Sequence, residues 1–399
     1  MKKTRNTILA LLLVVSVFAL TGCTTFDNFK EAFFSDTRAE ATTIKIGVLE
    51  PQTGDDSEYG ELEIQGIKIA NKLYGKALGK NIELVYTDTQ SDMSVAETAI
   101  KDLIDKKPVL VIGTYGEANS LLASKYLKKA KIPAVAVTST NPLITVNNPY
   151  YFTVSFSDSS QGEAAAYFAY DYLKLNKASV VRMKSEDFGM AIVRKFSDRL
   201  AKLTGDENCI TTTVPIDPEA KDYLVYVQRI QQSQSKCVFM PVSLNVADKF
   251  FAEAQKAGLN EVTFIGTNDW HTDELIAMQK KYPMLKIAAL SDVNTTGKAD
   301  DGTVSELHQQ FIKEYKAEYG DSEPKDATAL AFDAYMIAYN ALETSQTTDG
   351  DKLAQAILAT HDFQGASGTI SFGETGEPEK TTNVDIISGG KFVTVYTKQ

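Results

Sequence analysis

The sequence predicts an α/β protein with two doubly wound lobes, each a parallel β-sheet covered by helices. Apolar runs of strand length alternate with amphipathic stretches of helical length, which is the pattern of parallel strands joined by helical crossovers. The strands are apolar on both faces, as expected when helices cover both faces of a sheet. The alternation begins twice along the 399 residues, so the chain is better divided into two domains than packed around one core.

The first block of alternating elements begins at Thr43. Ser94 and Glu97 have the spacing of a capping box at the start of its second helix. Apolar residues in that helix recur at i, i+3, i+4, i+7 and i+8, which indicates one buried face. The predicted strands are IKIGVLE, NIELVYTD, PVLVIGT and IPAVAVTST, and the predicted helices cover 61–74, 94–104 and 117–129.

The second block begins after PYYFTVSFSD. Its predicted strands are ASVVRMK, CITTTVPID, KCVFMPVS and VTFIGTND, and its predicted helices cover 161–175, 189–203, 222–232 and 246–257. Two further helices are predicted over 303–319 and 327–342. The last segment, GTISFGETGEPEKTTNVDIISGGKFVTVY, has the alternation and glycine-rich turns of short antiparallel strands.

The first 22 residues have the form of an export signal. Basic MKKTRNT precedes a 13-residue apolar run, ILALLLVVSVFAL, which is too short to span a bilayer comfortably. The run ends in LTGC, which resembles the lipobox of bacterial lipoproteins and predicts a lipid on Cys23; the alternative is an ordinary signal with an incidental cysteine. Residues 23–42 then form a lipidated tether, although the phenylalanines of this segment could instead form a short amphipathic turn on the membrane surface.

Charge and composition argue against several functions. The net charge is −11, and removal of residues 1–22, with three basic residues and no acid, makes it −14, so neither nucleic acid nor anionic lipid is expected as a partner. His271, His308 and His361 are scattered and show no metal-ligand spacing. No motif places a nucleophile beside a base. The sequence predicts no enzyme, no cofactor and no metal.

The two remaining cysteines, Cys209 and Cys237, could pair in an exported protein. In the common doubly wound order, however, the strand ASVVRMK would lie between the strands that carry them. Because neighbouring strands are about 4.8 Å apart, the two thiols would be separated by about 10 Å, beyond the reach of a disulfide. We therefore predict two buried free cysteines.

Four segments in order along the chain resemble the type I periplasmic binding proteins, closest to those of branched-chain amino acid ABC transporters. They are IKIGVLEPQTG, VIGTYGEANS, TSTNP and FSDSSQGEAAAYF. The resemblance implies two lobes joined by three crossover hinges, with a cleft at the carboxyl ends of both sheets that closes on a small polar ligand. It assigns residues 43–157 and 293–365 to lobe 1, and residues 158–292 and 366–399 to lobe 2.

In that family lobe 1 binds the carboxylate of an amino acid. The resemblance implies this role for Ser139 and Thr140, although their hydroxyls could instead cap the loop before Pro142. Tyr59 stands where the family has an aromatic against the ligand, and alternatively packs at the start of a helix. The loop after the third strand would contribute Thr114, Tyr115 and free backbone N–H groups.

Glu117 departs from the family, because it stands where an amino acid binder usually offers a serine. A carboxylate that faces the carboxylate of a ligand is repelled. Either Glu117 turns to solvent, where an acid in the first turn of a helix is favoured by the helix dipole, or the ligand is different. In the second case Glu117 would receive an amide, a hydroxyl or a cationic group.

In lobe 2 the resemblance implies ligand contacts from both aromatic and acidic positions. Phe188 matches a family aromatic, or alternatively only packs at a helix start. Ser243 stands where a tyrosine is expected. The ammonium-binding glutamate aligns with Asn268, while Asp269 follows at once and could replace it or cap the next helix. Trp270 is expected at the mouth of the cleft.

Together these features predict an exported solute-binding lipoprotein. It would be a monomer that captures a small polar ligand, related to an amino acid, and presents it to an ABC permease. Its location would be the outer face of the bacterial cell membrane. The alternative is a sensory receptor of the same fold that signals through a membrane partner.

Overall fold

A computed structural model describes residues 43–185, 187–294 and 304–398, apart from the side chains of Asp187 and Phe188. The predicted signal, Cys23 and the tether lie outside the described residues. No helix among the described residues is both long enough and apolar enough to span a membrane.

The first sheet has six strands, in the order β2-β3-β1-β4-β5-β6. Parallel pairs join β1 to β4, β4 to β5 and β5 to β6. The strands are β1 (Thr43–Glu50), β2 (Lys76–Ala77), β3 (Lys80–Asp88), β4 (Leu110–Gly113), β5 (Ala134–Ala136) and β6 (Tyr151–Thr153). The helices between them are α1 (Ser57–Leu73), α2 (Met93–Asp105) and α3 (Glu117–Ala130).

The second sheet has seven strands, in the order β16-β15-β11-β10-β9-β7-β8. Its strands are β7 (Ala178–Met183), β8 (Ile210–Ile216), β9 (Cys237–Phe239), β10 (Thr263–Gly266), β11 (Lys286–Ser291), β15 (Thr382–Ser388) and β16 (Lys391–Lys398). The strands β7 to β11 pair in parallel, and β15 and β16 add an antiparallel edge. The helices of this part are α4 (Asp158–Tyr167), α5 (Asp187–Thr204), α6 (Leu224–Ser233), α7 (Leu244–Lys256) and α8 (Asp273–Lys281). The two doubly wound sheets confirm the predicted fold class.

Three later helices return to the first lobe: α9 (Glu306–Tyr319), α10 (Asp326–Ser345) and α11 (Gly350–Leu358). Helix α10 packs along α1, where Gly66 lies directly against the backbone of Thr328 and Phe332. The Tyr335 hydroxyl on α10 donates to the Asn71 side chain on α1 at 2.8 Å. Described segments therefore cross between the lobes after β6, after β11 and before β15.

A small third sheet lies on lobe 1. It contains β12 (Phe363–Gln364), β13 (Thr369–Phe372) and β14 (Pro378–Lys380). Phe372 packs edge-on against Phe152 at 5.6 Å between ring centroids, and Thr153 N donates to Gly376 O at 3.0 Å. These contacts tie residues 366–380 to lobe 1, so we propose that the last crossover lies near residue 381 rather than at 365.

The two free cysteines are confirmed. Strand β7 lies between β8 and β9, and both Cys209 and Cys237 are buried and unpaired. Burial raises the pKa of the Cys237 thiol to about 12, which keeps it protonated and inert.

Several predicted element bounds are wrong for local reasons. Helix α2 is capped by Asp92, whose side chain accepts from Ser94 N, and not by Ser94. Glu97 does not reach back to the helix start, because it pairs with Lys101 and accepts from the Tyr126 hydroxyl. The helix predicted over 161–175 is regular only to Tyr167 and continues as a π-helical segment over Phe168–Tyr172. The sequence reading did not identify α8 or α11.

Candidate functional site

The candidate site lies where β4 and β5 end. Because these strands are parallel neighbours, their carboxyl ends open at the same edge of the sheet. The loop after β4 runs through Gly116, which has a φ of 88° and leads directly into α3 at Glu117. The loop after β5 carries Thr138, Ser139 and Thr140 before a 3₁₀ turn at Pro142–Ile144.

Two tyrosines form a stacked wall at this edge. The rings of Tyr59 and Tyr115 have centroids 4.8 Å apart and planes within 4° of each other. Tyr59 is 44% exposed, so one side of the wall is open to solvent. Tyr115 N donates to Glu50 Oε2 at 2.8 Å, which holds its loop on the sheet.

A pair of buried acids supports both loops from below. Glu50 and Glu63 are fully buried. Glu50 accepts from the loop after β4, and Glu63 Oε1 accepts from Thr138 Oγ1 at 2.6 Å in the loop after β5. Burial raises the pKa of Glu63 to about 7, and burial together with the charge of Glu63 raises that of Glu50 well above its ordinary value. The pair therefore shares a proton near neutral pH.

Glu117 is held by the neighbouring loop. Its carboxylate accepts from Asn141 Nδ2 at 2.9 Å and from Thr140 Oγ1 at 3.3 Å. The side chain is therefore fixed at the cleft edge and does not simply turn to solvent. Thr140, the hydroxyl expected to meet a ligand's carboxylate, instead donates to a carboxylate of the protein itself.

Ser139 and Thr114 lie deeper than Thr140. Ser139 is 3% exposed, and its hydroxyl shares a 2.6 Å hydrogen bond with that of Ser120. Thr114 is fully buried, and its carbonyl accepts from Ser120 Oγ at 2.8 Å. The loop before Pro142 is capped by Asn141, whose side chain accepts from Leu143 N, so Ser139 and Thr140 are not its caps.

Asp158 faces this loop from the start of α4 in lobe 2. Its backbone N donates to Thr140 O at 3.2 Å, and its side-chain Oδ1 is buried without a hydrogen-bond partner among the described residues. Burial raises its pKa to about 7; the Thr140 hydroxyl opposes this shift, and the negative charges of Glu117, Asp269 and Glu377 add to it.

Asn268 and Asp269 begin a 3₁₀ turn after β10, also in lobe 2. Asn268 N donates to Gln161 Oε1 at 3.0 Å. Asp269 is exposed to solvent, yet loss of solvation and then the charge of Glu117 raise its pKa. A carboxylate in a cleft has both properties, because it keeps contact with water on one side while protein surrounds it on the others. Asp269 does not cap α8, whose first turn follows Thr272.

We call Glu117, Asp158 and Asp269 the acidic trio: the charge of Glu117 in lobe 1 raises the pKa of both Asp158 and Asp269 in lobe 2. The charge of Asp269 also adds to the raised pKa of Tyr59 and Tyr115, for which burial is the larger cause. Among the described residues no group of three His, Cys, Asp or Glu side chains is arranged to hold a metal ion.

The remaining predicted residues differ in outcome. Ser243 is exposed just before α7, and its carbonyl accepts from Val246 N and Ala247 N. The side chain of Phe188 lies outside the described residues. The expectation for Trp270 is wrong: it is fully buried, its Nε1 donates to Val242 O at 2.7 Å, and its ring lies on Gly266, where only the absence of a Cβ leaves room for the indole.

Sequence reasoning missed three acids of the site. Asp158 lies inside the segment FSDSSQG, and only its contact with Thr140 sets it apart from the neighbouring serines. Glu63 precedes Ile67 by one helical turn on the apolar face of α1, so its buried position could have been found from the helical spacing. Glu50 ends β1, directly after its apolar segment IGVL, at the same edge of the sheet as the site.

Two doubly wound lobes, linked by repeated crossovers and lined with polar side chains where their strands end, define a two-lobed ligand-binding protein. A family model described as periplasmic binding protein matches residues 43–386. The chain therefore belongs to the periplasmic binding protein family.

Relatives and solved structures agree with this assignment. An amino acid binding protein of Pseudomonas aeruginosa is 24% identical over 339 residues, covering 84% of this chain and 87% of its own length. A Leu/Ile/Val-binding protein homolog of Brucella abortus is 22% identical, covering 84% of this chain and 88% of its own. The structure of a leucine binding protein from Thermotoga maritima has a TM-score of 0.74 at 26% identity, covering 89% of this chain and 98% of its own.

Fold neighbours also include proteins solved with other ligands. A solute binding protein of an ABC transporter from Rhodopseudomonas palustris, in complex with benzoate, has a TM-score of 0.69 at 22% identity, covering 89% of this chain and 96% of its own. The fold is thus that of ABC transporter solute-binding proteins, and it is shared by proteins whose ligands differ in chemistry.

Proposed function

We propose that this chain is the extracytoplasmic solute-binding lipoprotein of an ABC importer. It captures a small polar ligand between its lobes by hinge closure and delivers that ligand to a permease. The observation that carries the proposal is the placement of polar side chains on both lobes at one cleft: the strand-end loops of lobe 1 face Asp158 and Asp269 of lobe 2.

The three crossovers give the lobes a route to close. Asp292, after β11, accepts from Ser155 Oγ at 2.9 Å and from Phe156 N at 3.1 Å, both in the first crossover. Lys380, at the last crossover, donates to Val154 O at 3.3 Å. A ligand that contacts both lobes binds the closed state better than the open one, and it therefore shifts the population toward closure.

The names of the relatives support a transport role. The matched proteins are described as binding amino acids or benzoate, and several are named as parts of ABC transporters. Binding and release by closure need no covalent step, so the proposed function is not enzymatic. The chain would act as a monomer.

A lipid on Cys23 would keep this protein at the cell surface. Such an anchor would also keep the folded lobes near a permease in the same membrane.

A solute screen tests the binding step. We would use the mature chain with Cys23→Ala and test amino acids, amides, polyamines, short peptides, nucleosides and aromatic acids by thermal shift. A ligand at 100 times its dissociation constant adds about 2.7 kcal/mol to the free energy of unfolding, which raises the midpoint by several degrees. The same ligand should reduce the radius of gyration in small-angle scattering.

Uptake into vesicles that contain a candidate ABC permease and its ATPase tests delivery. Solute uptake that depends on the protein supports the proposal. Closure without uptake would favour the sensory receptor, and a screen in which no solute raises the midpoint would contradict solute binding itself.

A further inference from the structure

We propose that the ligand of this cleft is a small organic cation without a carboxylate, selected by Glu117, Asp158 and Asp269 together. The proposal rests on the proposed function and names the chemical class of its solute.

In lobe 1, the loop after β5 is where the family resemblance implies a bound carboxylate. Thr140 and Asn141 both direct their donors to the Glu117 carboxylate, and the Ser139 hydroxyl is bonded to that of Ser120. These side-chain donors of the loop are thus already used, and two of them are used by a negative charge of the protein. A carboxylate on the ligand would have to displace Glu117 or remain beside it unneutralised.

Asp158 of lobe 2 lies beside Thr140 of lobe 1. Asp158 is 9% exposed, and its Oδ1 has no hydrogen-bond partner among the described residues. A buried carboxylate oxygen without a donor is costly, and an ammonium or guanidinium group supplies the missing donor together with a neutralising charge.

The acidic trio gives the cleft a negative charge. The negative charge of Glu117 raises the pKa of both Asp158 and Asp269, and the charge of Asp269 also raises that of Asp158, which means that these charges lie close enough to repel. Among the described residues no lysine, arginine or histidine forms an ion pair with any of the three. The open cleft therefore carries unbalanced negative charge, and a bound cation would balance it.

The tyrosine wall supplies the cleft with an aromatic surface. The rings of Tyr59 and Tyr115 are stacked, the charge of Asp269 reaches both of them, and Tyr59 keeps 44% of its surface open. Aromatic faces attract organic cations through the ring quadrupole. The described residues also lack a metal-type cluster of three ligands, so the arrangement fits an organic cation better than a metal ion.

The test compares amines with their carboxylate-bearing counterparts by calorimetry and thermal shift. The matched pairs are agmatine with arginine, cadaverine with lysine and tyramine with tyrosine; benzylamine is also compared with benzoate, which has a carboxylate in place of the aminomethyl group. We expect at least one amine to bind ten or more times tighter than its counterpart, with an affinity that falls as salt is added.

Two single variants test whether the acidic trio binds the amine. Glu117→Gln and Asp269→Asn should each weaken binding of the preferred amine by tenfold or more. Asp105→Asn removes the same charge from an exposed site before β4, at the opposite edge of the sheet, and should leave binding unchanged. Circular dichroism and the unliganded midpoint verify that each variant is folded.

The outcomes separate this inference from the proposed function. If arginine, lysine, tyrosine, leucine or benzoate binds as tightly as any amine, the inference is overturned while solute binding stands. If Ca²⁺ or Mg²⁺ binds and no amine does, the organic cation is overturned. If nothing in any group binds, both proposals fall.

Discussion

His271 uses both of its ring nitrogens and joins the two lobes through one of them. Nδ1 lies 2.7 Å from Asp326 Oδ2 at the start of α10, and Nε2 lies 2.9 Å from Asp385 Oδ2 on β15. Its ring stacks on Phe392 with a centroid separation of 3.7 Å. Burial alone would lower the pKa of this imidazole, but Asp326 and Asp385 overcome that effect and raise it to about 10. The ring is therefore charged at neutral pH and donates to both acids.

The first prediction is that His271 makes stability depend on pH above neutrality. Because the folded pKa of about 10 exceeds the ordinary value of 6.5, the contribution is complete below about pH 6.5 and is lost as pH rises through 10. His271→Gln should lose a few kcal/mol of unfolding free energy at pH 7, since each pKa unit corresponds to about 1.4 kcal/mol.

Urea unfolding from pH 6.5 to 9.5 measures this dependence. The variant should show a flatter profile than the wild type, whereas His361→Gln, at an exposed position, should follow the wild type. Equal slopes for His271→Gln and the wild type would show that the ring is not charged in the folded protein.

The second prediction concerns the buried pair of Glu50 and Glu63. Because the folded pKa of Glu63, about 7, lies above its ordinary 4.5, stability from this group is complete below about pH 4.5 and is lost as pH rises through 7. Glu63→Gln keeps an acceptor for Thr138 and cannot ionise, so it should gain stability relative to the wild type between pH 5 and 8.

Thermal midpoints across that pH range measure the effect of Glu63. Glu61→Gln, on the exposed side of the same helix, is the matched control and should not change the pH profile. A wild-type profile retained in Glu63→Gln would mean that the pair does not hold its proton near neutrality.

At the scale of elements, the contact between α1 and α10 depends on one glycine. A Cβ on Gly66 would collide with the carbonyl of Thr328 and lie 2.8 Å from Phe332 N. Glycine in a helix costs about 1 kcal/mol relative to alanine, so its presence is offset by the close approach of the two helices.

The third prediction is that Gly66→Ala destabilises the protein by about 1–3 kcal/mol, despite the better helix propensity of alanine. The denaturant midpoint should fall. Lys68→Ala, two residues along the same helix and exposed, should change it by less than about 0.5 kcal/mol. A stabilised Gly66→Ala would show that the two helices separate easily.

Elements with a strong period were predicted from sequence, and those defined by tertiary contacts were not. The apolar stripe of α2 identified that helix, but its cap was misassigned, because Glu97 finds partners on α2 itself and on α3. The short helix α8 was missed: its nine residues include only two that are buried. Its place against the second lobe depends on contacts that local sequence does not contain.

At the scale of the whole molecule, Lys380 links the crossovers. Its side chain is 1% exposed, and its ammonium donates to Val154 O and to Ser367 Oγ and lies 3.9 Å from Asp292 Oδ2. Burial lowers its pKa, and the charges of Asp292, Asp333 and Asp326 oppose that shift. The ammonium of Lys380 therefore lies in the interior beside Asp292, which follows β11, and within reach of the charges of Asp326 and Asp333 on α10.

The fourth prediction is that Lys380→Met costs about 3–5 kcal/mol of unfolding free energy, because it leaves Asp292 and Asp333 buried without their cation. Lys391→Met, at an exposed position of β16, is the control and should have little effect. Denaturant unfolding of both variants measures this cost. A Lys380→Met protein as stable as the control would show that water at the crossovers solvates Asp292 and Asp333 in place of the lysine.

The candidate site was predicted in part. The resemblance directed attention to the loops after β4 and β5 and to the turn after β10, and these loops do carry polar side chains at the cleft. It did not foresee that Glu117 binds Thr140 and Asn141, that Asp158 completes the acidic trio, or that Trp270 is buried. Each of these facts depends on residues brought together from distant parts of the chain.

The sequence by itself determined the alternation of strands and helices, the division into two lobes and, through the usual strand order, the separation of Cys209 from Cys237. These properties follow from periods of two and 3.6 residues and from sheet connectivity, which local sequence encodes. Only the tertiary structure decided the partner of Glu117, the shared charge of the acidic trio and the position of residues 366–380. Hydrogen bonds and electrostatic forces act through space, so their partners are known only once the lobes are folded.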